Sequence, residues 1–266
     1  MKNVTLGQYF PGSSPVHRLD PRTKLLMAFS YIIVLFLLHS GAAYLVLAVA
    51  SLAMITVSRI PLKLVLRGLR PIMIILSLTL ILHIFTTHEG ELLVQFWILR
   101  IYSGGVRQGL LLAFRLVLLV LATSLLTLTT SPIALTDGIE LLLKPFRKLG
   151  LPAHELAMMM TIALRFIPTL IEEAEKIMKA QLARGADFES GGLVKRAKSL
   201  LPLLIPLFIS AFRRADDLAM AMEARCYRGG DSRTKFKVLK LTVLDAYAWF
   251  VFLVVSGVAF WVGRVL

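Results

Sequence analysis

Cysteine is almost absent from this chain of 266 residues, in which Cys226 is the only one. A single cysteine excludes an intrachain disulfide framework and disfavours a cysteine-based metal site, and a reducing cytoplasmic face suits its thiol. The histidines are also scattered, at His17, His39, His83, His88 and His154. We therefore expect the protein to carry no metal and no cofactor.

The sequence motifs of several enzyme classes are missing as well. No Gly-Lys pair occurs, so the chain lacks the phosphate-binding P-loop of ATPases, and no GxGxxG occurs. The stretch HELAM at 154–158 places Met158 where a zinc protease needs its second histidine. We therefore expect a chain that is not an enzyme and that hydrolyses no ATP itself.

Apolar residues are abundant, at 57% of the chain against about 45–50% in a typical soluble domain. This excess predicts an integral membrane protein. The formal net charge is +14, and in a membrane protein such an excess of Lys and Arg is typical of cytoplasmic loops. Residues 1–24 are polar and do not resemble a cleaved signal peptide, so we expect residue 1 to belong to the mature protein.

The apolar runs predict an all-α membrane fold with about five transmembrane helices. A helix needs about 20 apolar residues to cross the bilayer core, and only the last two runs reach that length comfortably. The first two are separated by Ser40 and Gly41 alone, so we expect a tight hairpin or spans that use flanking residues. The runs with few or no charges lie at 25–39, 42–58, 71–86, 108–130 and 244–263.

The basic residues predict the orientation of these spans. Lys and Arg cluster on the cytoplasmic side of membrane proteins. They precede the first span and follow the second, at Arg18, Arg22 and Lys24 and at Arg59, Lys63, Arg67 and Arg70. We therefore expect a multi-pass protein of the inner, cytoplasmic membrane, whose N-terminus and residue 131 both face the cytoplasm.

The pattern changes after residue 130, which predicts three parts: 1–130 with the tail and four spans, 131–241 with cytoplasmic helices, and 242–266 with the last span. In the middle part, charges recur within apolar sequence at helical spacing. Its first helix is expected to begin at Thr136–Asp137, with Glu140 completing a capping box, and to bend at Pro145. That helix either lies on the membrane surface or offers a face to a partner.

Two long helices should follow, one from about Ala153 to Arg184 and one from about Leu193 or later to Arg225. Each would measure roughly 45 Å at 1.5 Å per residue. Pro168, Pro202 and Pro206 should kink these helices or separate an apolar half from a charged half. The apolar halves can lie against or within the membrane domain, and the charged halves must face water or protein.

The charged halves repeat one pattern, A-[ED]-x-[IL]-x-x-A-x-x-A-R. Small residues three and six positions apart share one side of a helix and allow another helix to approach closely. The two helices are therefore expected to cross, and each ends with one Arg just before a break, at Gly185 and around Gly229–Gly230. The aligned pairs are Ala174 with Ala215, Ala180 with Ala221, Ala183 with Ala224, and Arg184 with Arg225.

The two terminal arginines allow two interpretations. An Arg at a helix C-terminus interacts favourably with the helix dipole and with the last free carbonyls. A guanidinium also carries five donors in a rigid fork, which can bind carboxylates or carbonyls of a partner. For one Arg the first interpretation is favoured, whereas two matched copies favour docking onto two similar surfaces.

At these residues the chain resembles the T component, the transmembrane coupling subunit, of energy-coupling factor transporters. The resemblance covers nearly the whole chain and is carried by ARG and ARC, forty-one residues apart. The stretches HRLDPRTKL at 17–25 and LRFIPTL at 164–170 support it.

The resemblance implies a non-catalytic subunit in a vitamin or metal-ion importer. It implies that Ala183, Arg184 and Gly185 bind one ABC-type ATPase and that Ala224, Arg225 and Cys226 bind a second. It further implies that the surrounding helices hold a substrate-binding membrane subunit, the S component. The third residue of the second motif varies in the family, so Cys226 fits there as a small packing residue.

Three other functions are weighed against this one. A self-contained secondary transporter should have broken spans in two matching halves, whereas the repeat here lies in the cytoplasmic helices. An intramembrane enzyme needs paired acids or a nucleophile with a base, whereas Asp245 stands alone at the start of the last span. Nucleic-acid binding is disfavoured because acidic residues interrupt the basic region. His83 and Arg115 fall inside spans and are either functional or simply packed.

Overall fold

The protein is described here from a computed structural model, which covers residues 9–96, 99–188, 192–227, 229 and 239–265. It is 82% helical, so the expected all-α class is confirmed. The helices are α1 Pro15–Arg18, α2 Pro21–Leu37, α3 Gly41–Ser58, α4 Leu62–Leu69, α5 Met73–Thr86, α6 Ser103–Thr129, α7 Pro132–Leu143, α8 Ala153–Ala183, α9 Leu193–Ser199, α10 Leu201–Ala224 and α11 Val243–Val265. Short 3₁₀ helices lie at Arg70–Ile72 and Lys144–Leu149.

Five described helical segments are long and apolar enough to cross a membrane, which agrees with an integral membrane protein of about five spans. The set differs from the predicted one. α2, the predicted first span, has 17 residues or about 26 Å, slightly less than the roughly 30 Å core. α8 meets both criteria, although we expected it to be mostly cytoplasmic. The five are Gly41–Ser58, Leu62–Thr86, Ser103–Thr129, Ala153–Ala183 and Val243–Val265.

The chain divides into two compact units, and the first contains the described residues of 1–142 and 238–266. Its main core joins α2, α3, α6 and α11. Small residues bring α3 and α11 together, since a Cβ added to Gly263 would lie 3.4 Å from the Cβ of Ala43. Such close approach is how helices gain packing energy in a membrane, where lipid is as apolar as leucine. The buried members are Leu35, Leu38, Ala43, Tyr44, Leu47, Leu118 and Ala259.

A second, smaller core packs α4 against α3 and α6. Ile55, Ile60, Val65 and Leu128 are its buried members. A Cβ on Gly68 would lie 3.0 Å from the hydroxyl of Ser124, so α4 approaches α6 closely at this glycine. α4 is thus held firmly against α3 and α6.

The connections confirm one expectation and add one element. α2 and α3 form the expected tight hairpin, with only residues 38–40 between them. Between α5 and α6 the chain forms an antiparallel pair of strands, β1 Leu92–Phe96 and β2 Leu99–Tyr102, which the sequence pattern did not predict. This stretch is rich in Val, Ile, Phe and Tyr, the residues that favour strands, and is too short to span a membrane.

The predicted start of α7 at Thr136–Asp137 is wrong, because the helix begins at Pro132. The hydroxyl of Ser131 accepts a hydrogen bond from the amide of Ala134, which satisfies a free donor of the first turn. Proline is well tolerated at the first helical position because its missing N–H is not needed there. Beyond Leu143 the chain continues as a 3₁₀ helix that contains Pro145.

The second compact unit contains the described residues of 143–237. α8 runs through Pro168 as one helix of 31 residues, about 46 Å long. The predicted third helix is instead two helices, α9 and α10, which meet at Leu200. Pro202 lies in the first turn of α10. Proline is favoured in the first turn of a helix and disfavoured in its interior, so the chain starts a new helix here.

Candidate functional site: two arginine-bearing helix ends

Glu173 joins the charged halves of α8 and α10. Its Oε1 accepts a hydrogen bond of 2.6 Å from the Ser210 hydroxyl, and its Oε2 accepts one of 2.7 Å from Nη2 of Arg214. Charge-assisted bonds of this length are among the stronger polar contacts in proteins. The two helices are therefore linked side by side about one turn after Pro168.

The four alanines expected at the crossing lie beside and beyond this contact. Ala174 is half-buried, next to Glu173. Ala180, Ala215 and Ala221 are exposed in this chain. The contact between α8 and α10 includes the polar side chains at Glu173, and the role of the alanine stripe stays a prediction.

α8 ends in a tight backbone turn at the first arginine motif. Ala183 is the last helical residue, and Arg184 follows with φ −88° and ψ 6°. Gly185 has φ +86°, in the left-handed region that glycine adopts without strain. The amide of Ala186 donates to the carbonyl of Gln181 at 2.9 Å, and that of Gly185 donates to Leu182 at 3.0 Å. This pair of bonds defines a Schellman motif.

α10 ends in the same turn at the second motif. Arg225 has φ −91° and ψ 13°, and Cys226 has φ +56°. The amide of Tyr227 donates to the carbonyl of Met222 at 3.0 Å, and that of Cys226 donates to Glu223 at 2.8 Å. The helix therefore ends close to its predicted limit at Arg225, whereas the break predicted around Gly229–Gly230 comes earlier, at Cys226. The two motifs share one backbone geometry, residue for residue.

The two guanidinium groups are available to a partner. Arg184 and Arg225 are both exposed, as are Ala183 and Ala224 before them and Gly185 and Cys226 after them. Among the described residues, neither arginine side chain has a hydrogen-bond or ion-pair partner. Each helix thus presents an unpaired cationic fork at its C-terminus.

The shared turn leads to opposite expectations for two substitutions. Gly185→Ala places a side chain at positive φ, which costs about 1 kcal/mol, and nothing lies within 4 Å of the added Cβ to complicate the result. Cys226→Gly should relieve a similar strain. We expect amide exchange at Ala186 to accelerate about fivefold and exchange at Tyr227 to slow by a similar factor, as measured by hydrogen-exchange mass spectrometry. Changes of the same sign in both variants would contradict the shared geometry.

Asp245, which seemed isolated in the sequence, is the centre of a buried network. It is 2% exposed, and its Oδ1 accepts a bond of 2.9 Å from the amide of Asp20. Its Oδ2 accepts bonds from the amide and the hydroxyl of Thr242, at 2.7 and 2.8 Å. One carboxylate thus caps α11 and fixes the N-terminal segment. The residues are 225 apart in sequence, so no local pattern could reveal this pair.

The stretch HRLDPRTKL forms the other side of this network. Asp20 caps α2 through the amide of Arg22 and receives the Arg22 guanidinium on both oxygens, at 2.9 and 3.1 Å. Nζ of Lys24 donates to the carbonyl of Thr129 at 2.9 Å and to that of His17 at 3.2 Å. The motif that supported the resemblance therefore binds the end of α6 and the start of α11.

Arg115 and His83, left open by the sequence, have internal hydrogen-bond partners. The guanidinium of Arg115 donates to the Tyr44 hydroxyl at 2.7 Å and to the carbonyl of Leu38 at 2.9 Å. It also lies 5.4 Å from the ring centre of Phe36. A ring nitrogen of His83 lies 3.0 Å from the carbonyl of Thr79, one helical turn away. Arg115 therefore stabilises the α2–α3 hairpin from within the bundle.

Known proteins resemble this chain over almost all of its length. Residues 12–236 match the family model CbiQ, described as cobalt transport protein. A protein of Thermosediminibacter oceani is 58% identical over 249 residues, which cover 94% of each chain. One of Clostridium kluyveri is 56% identical over 93% of this chain and 92% of its own, and one of Bacillus subtilis is 51% identical over 92% of each. All three are named energy-coupling factor transporter transmembrane protein EcfT.

These matches agree with the architecture. The matched residues include the N-terminal anchor around Asp20 and both arginine-bearing helix ends. The relatives' name and the five apolar helical segments indicate a multi-pass membrane protein that takes part in transport and is not a catalytic enzyme. The chain belongs to the CbiQ family and is a transmembrane component of an energy-coupling factor transporter.

Proposed function

We propose that this subunit transmits the ATP-driven motion of two ABC-type ATPase subunits to a substrate-binding membrane subunit. The observation that carries the proposal is the pair of matched helix ends, each with one exposed arginine that has no side-chain partner in the described ranges. Two closely similar local structures on two neighbouring helices suit two similar partners. ATP hydrolysis then belongs to those partners and not to this chain.

In this proposal each motif docks as a unit. Ala183, Arg184 and Gly185 bind one ATPase, and Ala224, Arg225 and Cys226 bind the other. The tight turn directs the guanidinium outward, while the small neighbours leave room for the walls of a groove. A carboxylate or a cluster of carbonyls at the base of that groove can take both arms of the fork.

The link at Glu173 supplies the mechanical part of the proposal. Because α8 and α10 are joined there by Ser210 and Arg214, a displacement of either arginine end moves both helices. α8 is about 46 Å long. When it tilts as a rigid rod about a fixed point, the displacement grows with distance from that point, so movement of its arginine end is transmitted along the helix. Residues 131–241 thereby act as coupling helices that reorient the S component and release a vitamin or metal ion inside the cell.

The charge distribution supports a cytoplasmic position for these helix ends. Basic residues precede α2 and follow α3, as expected for cytoplasmic segments. In this orientation the N-terminus and the two arginine-bearing helix ends face the cytoplasm, where ATP is available, and the protein lies in the inner membrane. The bilayer and the other transporter subunits are then its partners, and nucleic acid is not.

Affinity purification of the tagged protein from its native membrane tests this assignment. We expect two ABC-type ATPases and one small membrane protein to co-purify in fixed ratio, as identified by mass spectrometry of the peptides. A preparation in which the chain alone supports solute uptake in liposomes would contradict the proposal, since that result requires a self-contained transporter.

A further inference from the structure

α4 carries a compact basic face. Lys63 and Arg67 lie on α4, and Arg70 directly follows it. At about 100° per residue, their spacings of four and three confine them to roughly 60° of the helix circumference. All three side chains are exposed. The helix therefore presents one narrow, strongly cationic stripe.

This basic face points away from the protein. On the opposite side of α4, Val65 is 1% exposed and Gly68 packs closely against Ser124 of α6. Between the buried side and the basic face lie Leu62 and Leu66, which are 54% and 58% exposed. The helix thus has a face packed on the bundle, an apolar edge and a charged outer face.

No carboxylate neutralises the basic face within the described part of the chain. From Pro21 to His88 the sequence contains no Asp or Glu. Among the described residues, Lys63, Arg67 and Arg70 have no ion-pair or hydrogen-bond partner. The basic face is therefore open to a ligand from outside the described part of the chain.

The position of α4 along its apolar segment identifies the kind of ligand. The apolar segment Leu62–Thr86 has 25 residues, about 37 Å, whereas the hydrocarbon core is about 30 Å thick. One end of the segment therefore extends to headgroup depth, and the charged end is the one with α4. Directly after it, Ile74 and Ile75 are 78% and 55% exposed, as expected for lipid-facing residues.

We propose that the basic face of α4, formed by Lys63, Arg67 and Arg70, binds the headgroups of anionic phospholipids. Leu62 and Leu66 then insert beside the acyl chains, as in amphipathic helices at a membrane surface. Anionic lipid is favoured over a protein partner because the exposed leucines and cations lie together at the level of the bilayer surface. The inference does not depend on the arginine motifs or on which side of the membrane α4 occupies.

Lipid retention by the full-length protein tests this site. The protein is placed in nanodiscs of equal phosphatidylglycerol and phosphatidylcholine, and the lipids that stay bound after release are counted by native mass spectrometry. We expect the wild type to retain phosphatidylglycerol preferentially, and Lys63→Gln with Arg67→Gln to reduce that preference about tenfold. High salt should also reduce the preference, because the contacts lie at the membrane surface.

Two control variants distinguish this site from general charge effects. Arg107→Gln with Arg264→Gln removes two exposed cations elsewhere in the same unit and should leave the preference unchanged. Lys63→Arg with Arg67→Lys retains both charges and should retain the preference. An unchanged preference in the Gln pair at positions 63 and 67, or an equal loss in the pair at 107 and 264, would overturn the proposal.

Discussion

Replacing both Arg184 and Arg225 with alanine is expected to release the ATPase subunits from the purified transporter and to abolish uptake. Each guanidinium is exposed and unpaired among the described residues, and in the proposed complex an ATPase supplies its hydrogen bonds. Removing one buried, charge-assisted interaction from an interface costs about 2–5 kcal/mol, which weakens binding about thirtyfold or more at each site. Without either guanidinium, the complex should not survive purification in detergent.

The measurement is the ratio of ATPase to membrane subunit after size-exclusion chromatography, together with uptake in liposomes. Lys179→Ala with Arg213→Ala is the matched control, because it removes one exposed cation from each of the same helices away from their ends. Arg184→Lys with Arg225→Lys keeps the charge but loses the planar fork, and should give a partial loss. Full retention of both ATPases and full uptake in the alanine variant would refute the docking role.

Each single variant separates the two docking sites. Arg184→Ala alone should weaken one ATPase interface and leave the Arg225 interface in place, so the complex should lose one ATPase more readily than the other. A complex in which either single variant behaves like the double variant would indicate that both arginines bind one composite surface. With one composite surface, both arginines would still dock onto an ATPase, but one binding surface would serve two arginines instead of one each.

Among the substitutions proposed for this protein, Asp245→Ala is expected to cause the largest loss of folding stability. The substitution leaves the amide of the buried Asp20 without its acceptor, at a site where the carboxylate itself is 2% exposed. The amide and hydroxyl of Thr242 also lose their acceptor, but Thr242 is exposed and water can replace it. One unpaired buried donor costs about 1–3 kcal/mol, which for a chain of this size corresponds to a fall in Tm of about 2–12 °C.

Thermal unfolding of the detergent-solubilised protein, followed by circular dichroism, measures this effect. Asp245→Asn should cost less, because its amide oxygen still accepts one bond while its NH₂ opposes the donors of Thr242. Asp217→Ala removes an exposed acid from α10 and should change Tm little. A variant Asp245→Ala that unfolds at the wild-type temperature would contradict the anchoring role of this carboxylate.

The two arginine-bearing ends show how much of the site could be predicted. The repeat identified both arginines, and it placed the first break correctly at Gly185 because glycine favours positive φ. It placed the second break too late, because a cysteine carries no such signal. The hydrogen bonds of the turn at Met222 impose positive φ on Cys226, and that preference is invisible in the residue type.

The remaining differences also have physical causes. The start of α7 was predicted four residues late because Asp137 resembles a cap, while Ser131 and Pro132 form the actual one. The strands at Leu92–Phe96 and Leu99–Tyr102 were not predicted, since a short apolar run in a membrane protein is easily taken for part of a loop. In each case a second local signal competed with the one that the chain follows.

The sequence by itself determined the membrane class, the helical segments and the two arginines, because apolar length, helix breaks and internal repeats are local properties of the chain. Only the tertiary structure decided which polar groups pair. Asp20 meets Asp245 across 225 residues, and Glu173 meets Arg214 across 41. Such pairs depend on how the helices pack, and packing depends on small residues and buried donors whose partners lie far away in the chain.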